Sequence, residues 1–443
     1  MYRRHGSENP PVVVSKALRG ALIAAVLGCS PANVGDISVP TGQGKSIKSV
    51  LPSRCSCGRE LRMETTDRPT PGGSIAQHFG SLKDPRVVGR CAHDLLDVLT
   101  ITFLAVICGA DGWDAIEDWA RFREDWLRTF LRLPHGIPGD DTYRRVFAAL
   151  RPAAFAECFT RWAMALVGTT AGKLVALDGQ TLRHSFDRAR GQSALHLVHA
   201  WVADNGVVLG QIATDAKSNE ITAIPALLEL LDLRGAVVTI DAMGCQKEIA
   251  ASIVEAEADY VLALKDNHPT ARDEVARYFE HAVGTPAVQS VETTDGDHGR
   301  IEIRRTHLTT DIDWFEDRAD WAGLKSFVWV ETERHAGTTV TREQHYFLSS
   351  LATVNAAQMG SYVRGHWGIE NKLHWSLDVT FHQDASRIRR DHAPQNFAAV
   401  RKLALVPLKA ETTFKAGIER KRRRADRDLD YLLAVLNAGG RSF

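Results

Sequence analysis

Two short apolar runs constrain this chain more than anything else in it: KLVALDG at 173–179 and AVVTIDA at 236–242, each carrying an aspartate at its end. Four or five consecutive aliphatic residues bounded by turn formers read as a strand buried on both faces, as in the middle of an α/β sheet. Between the two runs, ALHLVHAWVAD and VVLGQIATD read as strands at hairpin separation and EITAIPALLELL as a helix. A right-handed crossover through that helix sets the second run parallel to and beside the first. Asp178 and Asp241 then occupy neighbouring C-terminal strand ends, where open α/β sheets carry their ligand sites.

One aspartate at a strand end is ordinarily a turn former. Two side by side are a different matter, because charges roughly 4 Å apart repel by about 4 kcal/mol at an effective dielectric of 20. A third carboxylate, Glu370, lies in YVRGHWGIENKLHWSLDVTF, 362–381. Read at 100° per residue, that stretch is a helix whose apolar face carries Val363, Trp367, Ile369, Leu373 and Leu377, with Glu370 in the middle of the face and His366 and His374 one turn to either side. A carboxylate placed there needs a cation, either an arginine or a metal ion. Hard oxygen donors with room for water and phosphate suit Mg²⁺ or Mn²⁺.

Composition limits the partners. The 443 residues carry 54 basic and 54 acidic side chains, so a polyanion has to be met by a local basic surface rather than by net charge. Such surface is concentrated in RIRRDHAPQNFAAVRK and ERKRRRADRD, both after the Glu370 stretch. Seven scattered cysteines indicate a reducing, cytoplasmic compartment rather than a disulfide framework. Cys55 and Cys57 lack the second matched pair that a structural zinc needs. The nine residues from Gly20 to Gly28 have the outline of an export signal but are too short to span a bilayer, and no other stretch approaches that length.

Four regions follow. Residues 1–74, rich in Pro, Gly, Ser and charge, read as a poorly ordered leader. Residues 75–170 read as a small all-α domain, with Asp140 or Asp141 capping a helix whose Tyr143, Arg144 and Arg145 either meet a DNA groove or belong to a domain that only packs. Residues 171–410 form the α/β domain, and QSVETTDGDHGRIEIRRTHLT and SFVWVETERHAGTTVTREQHYFLSS make a β-rich stretch at about 285–351. Residues 411–443 read as a basic tail.

The blocks LVALDGQTLRHSFD, VVTIDAMGCQKEIA, YVLALKDNHP, DHGRIEIRR and HWGIENKLHWSLDVTFHQDASRIRRDHAPQNFAAVRKLAL, in this order, resemble the signature blocks of DDE-type transposases of bacterial insertion sequences, on the branch of the H-repeat-associated proteins. The resemblance runs from about residue 76 to residue 407. It implies an RNase H-like catalytic core interrupted by a β-rich insertion, with Asp178, Asp241 and Glu370 as the catalytic triad and the ligands of two Mg²⁺ or Mn²⁺ ions. It further implies a nucleoid-associated enzyme that cuts duplex DNA at terminal inverted repeats and joins the ends to target DNA, as a dimer or larger synaptic complex. Related transposases often carry Tyr, Arg and Lys seven before, four before and seven after the glutamate, where this chain has Val363, His366 and Leu377. Arg364, Lys372, Arg387, Arg389 and Arg390 are the candidates for that phosphate-binding charge, and Lys265, Asn267, His366 and His374 for groups supporting the triad.

Three other readings compete. A structure-selective RNase H-like nuclease shares the site but does not join ends, and a domesticated remnant binds DNA without cutting it. A zinc site from His366, Glu370 and His374 needs ligands that lie roughly 12 Å apart along one helix to meet at one ion.

Overall fold

The computed structural model describes residues 75–87, 89–214, 220–297 and 300–438. The leader 1–74 with its export-signal outline, Cys55 and Cys57, and the last five residues lie outside the described residues.

Six helices come first: α1 Ile75–Phe79, α2 Leu95–Ile107, α3 Trp113–Phe122, α4 Glu124–Leu127, α5 Asp140–Ala149 and α6 Pro152–Val167. Helix α2 starts where Asp94 accepts the Leu96 N–H, and α6 starts on a proline whose missing N–H costs nothing at that position. The helical stretch that begins at Trp113 breaks at Arg123, leaving Phe122 84% exposed. Gly139, not Asp140 or Asp141, caps α5; both aspartates lie in its first turn and pair with Arg144 and Arg145. Tyr143 is wholly buried, so this helix start does not present the three side chains expected to read DNA.

The sheet follows: β1 Leu174–Leu182, β2 Leu195–Val202, β3 Val207–Thr214, β4 Val237–Ile240, β5 Asp259–Leu264, β6 Gln289–Asp297, β7 Arg300–Thr309, β8 Ser326–Ala336 and β9 Thr339–Ser349, with helices α7 Glu220–Glu229, α8 Lys247–Glu255 and α9 Pro269–Ala282 interleaved. The nine strands lie in one sheet, ordered β3-β2-β1-β4-β5-β9-β8-β7-β6. β1, β2 and β3 are antiparallel neighbours, whereas β1, β4 and β5 are parallel. The β-rich stretch expected at about 285–351 therefore extends the sheet edge to edge from β5, through β9, and is not a separate layer. Its outer end is charged on its surface, where Arg304 pairs with Asp295 and Arg305 with Glu292.

Period-two alternation sorts the central strands into two cores. Val175, Leu177, Val238 and Ile240 face the larger core; Leu174, Val237 and Val261 face a smaller one closed by Ala356, Met359 and Val363 of helix α10, Ala356–His366. Helix α11, Ala393–Ala410, is buried almost all round and packs against α2, α5 and α6. Its position explains why the first six helices have no core of their own: their buried residues belong to the large core under the sheet.

The expected basic tail is folded. Residues 418–427 form α12 and 429–438 form α13, both against α11. Lys421 and Arg422 of the ERKRRRADRD run are buried: Lys421 donates to the Leu408 carbonyl, and Arg422 to the carbonyls of Val106 and Thr380 and to Asp111. Two of the six basic side chains of that cluster are therefore internal structure rather than a DNA-facing surface.

Candidate active site

The parallel ladder between β1 and β4 ends at Leu177 opposite Ile240, so the next residue on each strand is an aspartate and the two stand side by side. β1 continues to Leu182, which corrects the expectation that Asp178 ends its strand: Asp178 lies where β1 outgrows β4 and keeps only β2, opposite His199. Asp241 caps the short turn Ala242–Gly244 by accepting the Met243 N–H at 3.2 Å. Asn267 holds that turn from outside, donating to the Ala242 carbonyl at 2.7 Å and to the Cys245 carbonyl at 3.3 Å, while Lys265 is exposed.

Glu370 is solvent-exposed, contrary to its expected place on the buried face. Helix α10 gives way after His366 to two wide π turns, Ile369–His374 and Ser376–Thr380. A π turn advances the chain by a smaller rotation per residue, so the stripe drawn at 100° drifts. Ile369, Leu373, Leu377 and Phe381, four residues apart, are fully buried, and Trp367 turns out to 43% exposure. Among the described residues no lysine or arginine pairs with the Glu370 carboxylate.

The Asp178 carboxylate is pushed up to about 7, first by burial and then by repulsion from Asp241, with smaller contributions from Glu370 and Glu220 against the opposing Gly179 N–H. That N–H donates to Asp178 Oδ1 at 2.8 Å, and His374 Nδ1 stands 3.6 Å from Oδ2. His366 takes the other aspartate's side, with Nδ1 3.1 Å from Thr239 Oγ1. Burial lowers both imidazoles to about 4, so they are neutral at pH 7. The two histidines thus diverge to different strands, which overturns the zinc reading with Glu370. Among the described residues no three acidic, histidine or cysteine side chains close around one ion. The donor set is nevertheless of the kind a hard divalent cation takes: three carboxylates, one of them resisting ionisation first because it is buried and then because Asp241 stands beside it.

Several contributors were invisible in the sequence. Gly179 has no room for a side chain, since a Cβ there meets Glu220 Oε1 at 2.2 Å and His196 Nε2 at 2.5 Å. That buried His196–Glu220 pair therefore sits directly under the strand next to Asp178. Gln180 bonds Asp378, and His199 leaves both ring nitrogens unpartnered 5.5 Å from the His374 ring. Only the Asp-Gly step was a sequence signal for any of these.

The predicted basic residues divide. Arg364 is committed to Asp295 on β6 at 2.8 Å, and Lys372 is exposed on the Glu370 segment. Arg387, Arg389 and Arg390 line a cleft of about 440 Å³ together with Arg144, Arg190 and Trp113. Arg389 is fixed there by the His184 carbonyl at 2.8 Å and by the Phe186 ring.

Residues 170–406 match the family described as Transposase DDE domain, and residues 76–163 match the one described as DDE_Tnp_1-associated. The "H repeat-associated putative transposase YhhI" of Escherichia coli (strain K12) is 37% identical over 375 residues, which is 83% of this chain and 99% of that protein. The "Putative transposase YncI" of Escherichia coli O157:H7 is 38% identical over 82% of this chain and 94% of its own. A piggyBac transposase synaptic complex with hairpin DNA overlaps 82% of this chain and 76% of that one, at 10% identity and a TM-score of 0.37, too loosely to carry an argument. With more than half its length matched and two near full-length relatives, the chain belongs to the DDE transposase family, on the branch of the H-repeat-associated proteins.

Proposed function

We propose that this transposase cuts DNA at the ends of its mobile element and joins them to target DNA, with Asp178, Asp241 and Glu370 as the ligands of divalent metal. The observation that carries the reading is the β1–β4 register, which sets two aspartates side by side, with the Asp178 carboxyl raised first by burial and then by Asp241. The order β3-β2-β1-β4-β5, with the first three strands antiparallel and the last two parallel to β1, supports an RNase H-like core.

The three carboxylates would hold Mg²⁺ or Mn²⁺, which, when bound as a pair, supplies activation of the attacking oxygen and stabilisation of the departing 3′ oxygen. The chain's own groups do the positioning. The Gly179 N–H orients Oδ1 of Asp178, Asn267 fixes the turn that carries Asp241, and the neutral His366 and His374 fill the space beside each aspartate without adding charge. Arg387, Arg389 and Arg390 make their side of the cleft a phosphate-binding channel for duplex DNA. Water is the nucleophile when an end is nicked and the freed 3′-hydroxyl when it is joined, so no side chain forms a covalent intermediate.

Asp178→Asn, Asp241→Asn and Glu370→Gln are each expected to abolish cleavage of a supercoiled plasmid carrying the gene with its flanking DNA, while gel-shift binding to that DNA persists. Cleavage by Glu370→Gln near the wild-type rate would remove Glu370 from the site. A strand-transfer assay separates this reading from a nuclease that only cuts.

A further inference from the structure

Beyond Leu177, β1 has lost β4 and its free side meets the Glu370 segment through side chains alone. Gln180 is two residues on from Asp178 and therefore points to the same face of β1. It is 8% exposed, and its amide nitrogen donates to both oxygens of Asp378, at 3.0 Å each. Its amide oxygen accepts from Gln383 Nε2 at 2.9 Å, and Gln383 in turn donates its backbone N–H to the Leu377 carbonyl at 2.9 Å. Both ends of one side chain on the Asp178 strand are thus fastened to the segment that carries Glu370.

We infer that Gln180 and Asp378 are a positioning pair that sets where Glu370 stands relative to Asp178; the inference rests on the metal-site reading above and adds two residues to it. Physical reasons favour such a tie. Glu370 sits in π turns, whose wide winding is poorly stabilised by backbone bonds alone, and no backbone ladder reaches this part of β1 from the β4 side. Residues that orient metal ligands from behind typically matter ten- to a hundredfold. Both oxygens of Asp378 accept from the Gln180 amide, which ties its carboxylate to β1. The charged groups around it are Asp384, Arg183, and Arg401 and Lys402 of α11; burial first and Asp384 second push it up to about 6, against the Gln180 hydrogen bond and Arg183.

The test uses the full chain with Asp378→Asn, Gln180→Ala, the combination of these two, and an exchange pair, Gln180→Glu with Asp378→Asn. In the exchange the amide introduced at 378 donates to the carboxylate introduced at 180, which still accepts from Gln383. Two measurements are made: Mn²⁺ affinity by calorimetry without DNA, and cleavage of the supercoiled plasmid. Each single variant is expected to lose about ten- to a hundredfold in both. The combination is expected to be no worse than the worse single, because both changes break one tie, and the exchange to recover most of the loss. Wild-type Mn²⁺ affinity and cleavage in the singles, losses that multiply in the combination, or an exchange no better than Asp378→Asn alone would each overturn the pair. The exchange also guards against a single variant that does not fold, since recovery is measured on a chain carrying both changes. Asp178→Asn in the same assays keeps the two readings apart: if it binds Mn²⁺ and cuts like wild type, the site itself is wrong; if it is dead while Asp378→Asn is normal, only the positioning pair falls.

Discussion

At the residue scale Asp178 departs most from ordinary behaviour, and the departure has a sign. Folded, its carboxyl titrates near 7; unfolded, it titrates near its usual 3.8. Between those values the folded state keeps a proton that the unfolded chain has released, so this group's contribution to stability is full below about pH 4 and falls away as pH rises to about 7. The whole effect is on the order of 4 kcal/mol for a displacement of that size. In chelator, Asp178→Asn is therefore expected to melt higher than wild type at about pH 8 and nearly level with it at about pH 4. Saturating Mn²⁺ should close most of that gap at the higher pH, because an ion that binds only the folded wild type adds about 2.7 kcal/mol at a hundredfold excess over Kd. Thermal unfolding with chelator and with Mn²⁺ checks both; a wild type that gains nothing relative to the variant as pH is lowered contradicts the desolvated, crowded carboxylate.

At the element scale the decisive piece is the segment after α10. Its α-helical part follows the sequence: Asn355 caps it, accepting the Gln358 N–H at 2.8 Å, and Ala356, Met359 and Val363 form the buried stripe. The part carrying Glu370 does not, because Gly368 brings the backbone against the buried indole of Trp201, where a Cβ would stand 2.9 and 3.1 Å from ring carbons. Gly368→Ala has to displace that ring or the segment two residues before Glu370. The expected cost is about 1–3 kcal/mol by chemical denaturation, with slower plasmid cleavage and unchanged DNA binding. Equal stability and equal cleavage would show that this close approach does not place Glu370.

At the scale of the whole molecule, the helices before the sheet and those after it are one body around α11. Arg422 joins them: its guanidinium serves Val106 and Asp111 at the end of α2, and Thr380 at the end of the Glu370 segment. A chain ending at Ala410 is accordingly expected to lose cooperative unfolding altogether, not merely affinity for DNA, because it uncovers α11 and leaves these acceptors without a donor. A chain beginning at Ser74 is expected to behave oppositely, keeping its melting temperature and its plasmid cleavage, since the family match begins at residue 76 and the core at Ile75. Circular dichroism melts and the plasmid assay distinguish the two.

Much of this was legible in the chain itself. Apolar runs ended by aspartate specified β1 and β4 and their neighbour relation, because a strand buried on both faces has few alternatives and a crossover has one preferred hand. The helix expected at 362–381 shares only residues 362–366 with α10, which starts at Ala356 and gives way to π turns. Other features required the folded chain. Glu370 left the buried face because the winding changes where Gly368 meets Trp201, a contact between residues far apart in sequence. Arg422 and Lys421 left the DNA-facing surface because carbonyls from three segments converge on them. Gln180 and Asp378 became partners because β1 runs on past β4. Local pattern determines which residues are strand, helix and core through steric and hydrophobic rules that act over a few positions; which polar groups meet is decided by long-range packing, and no spacing along the chain encodes it.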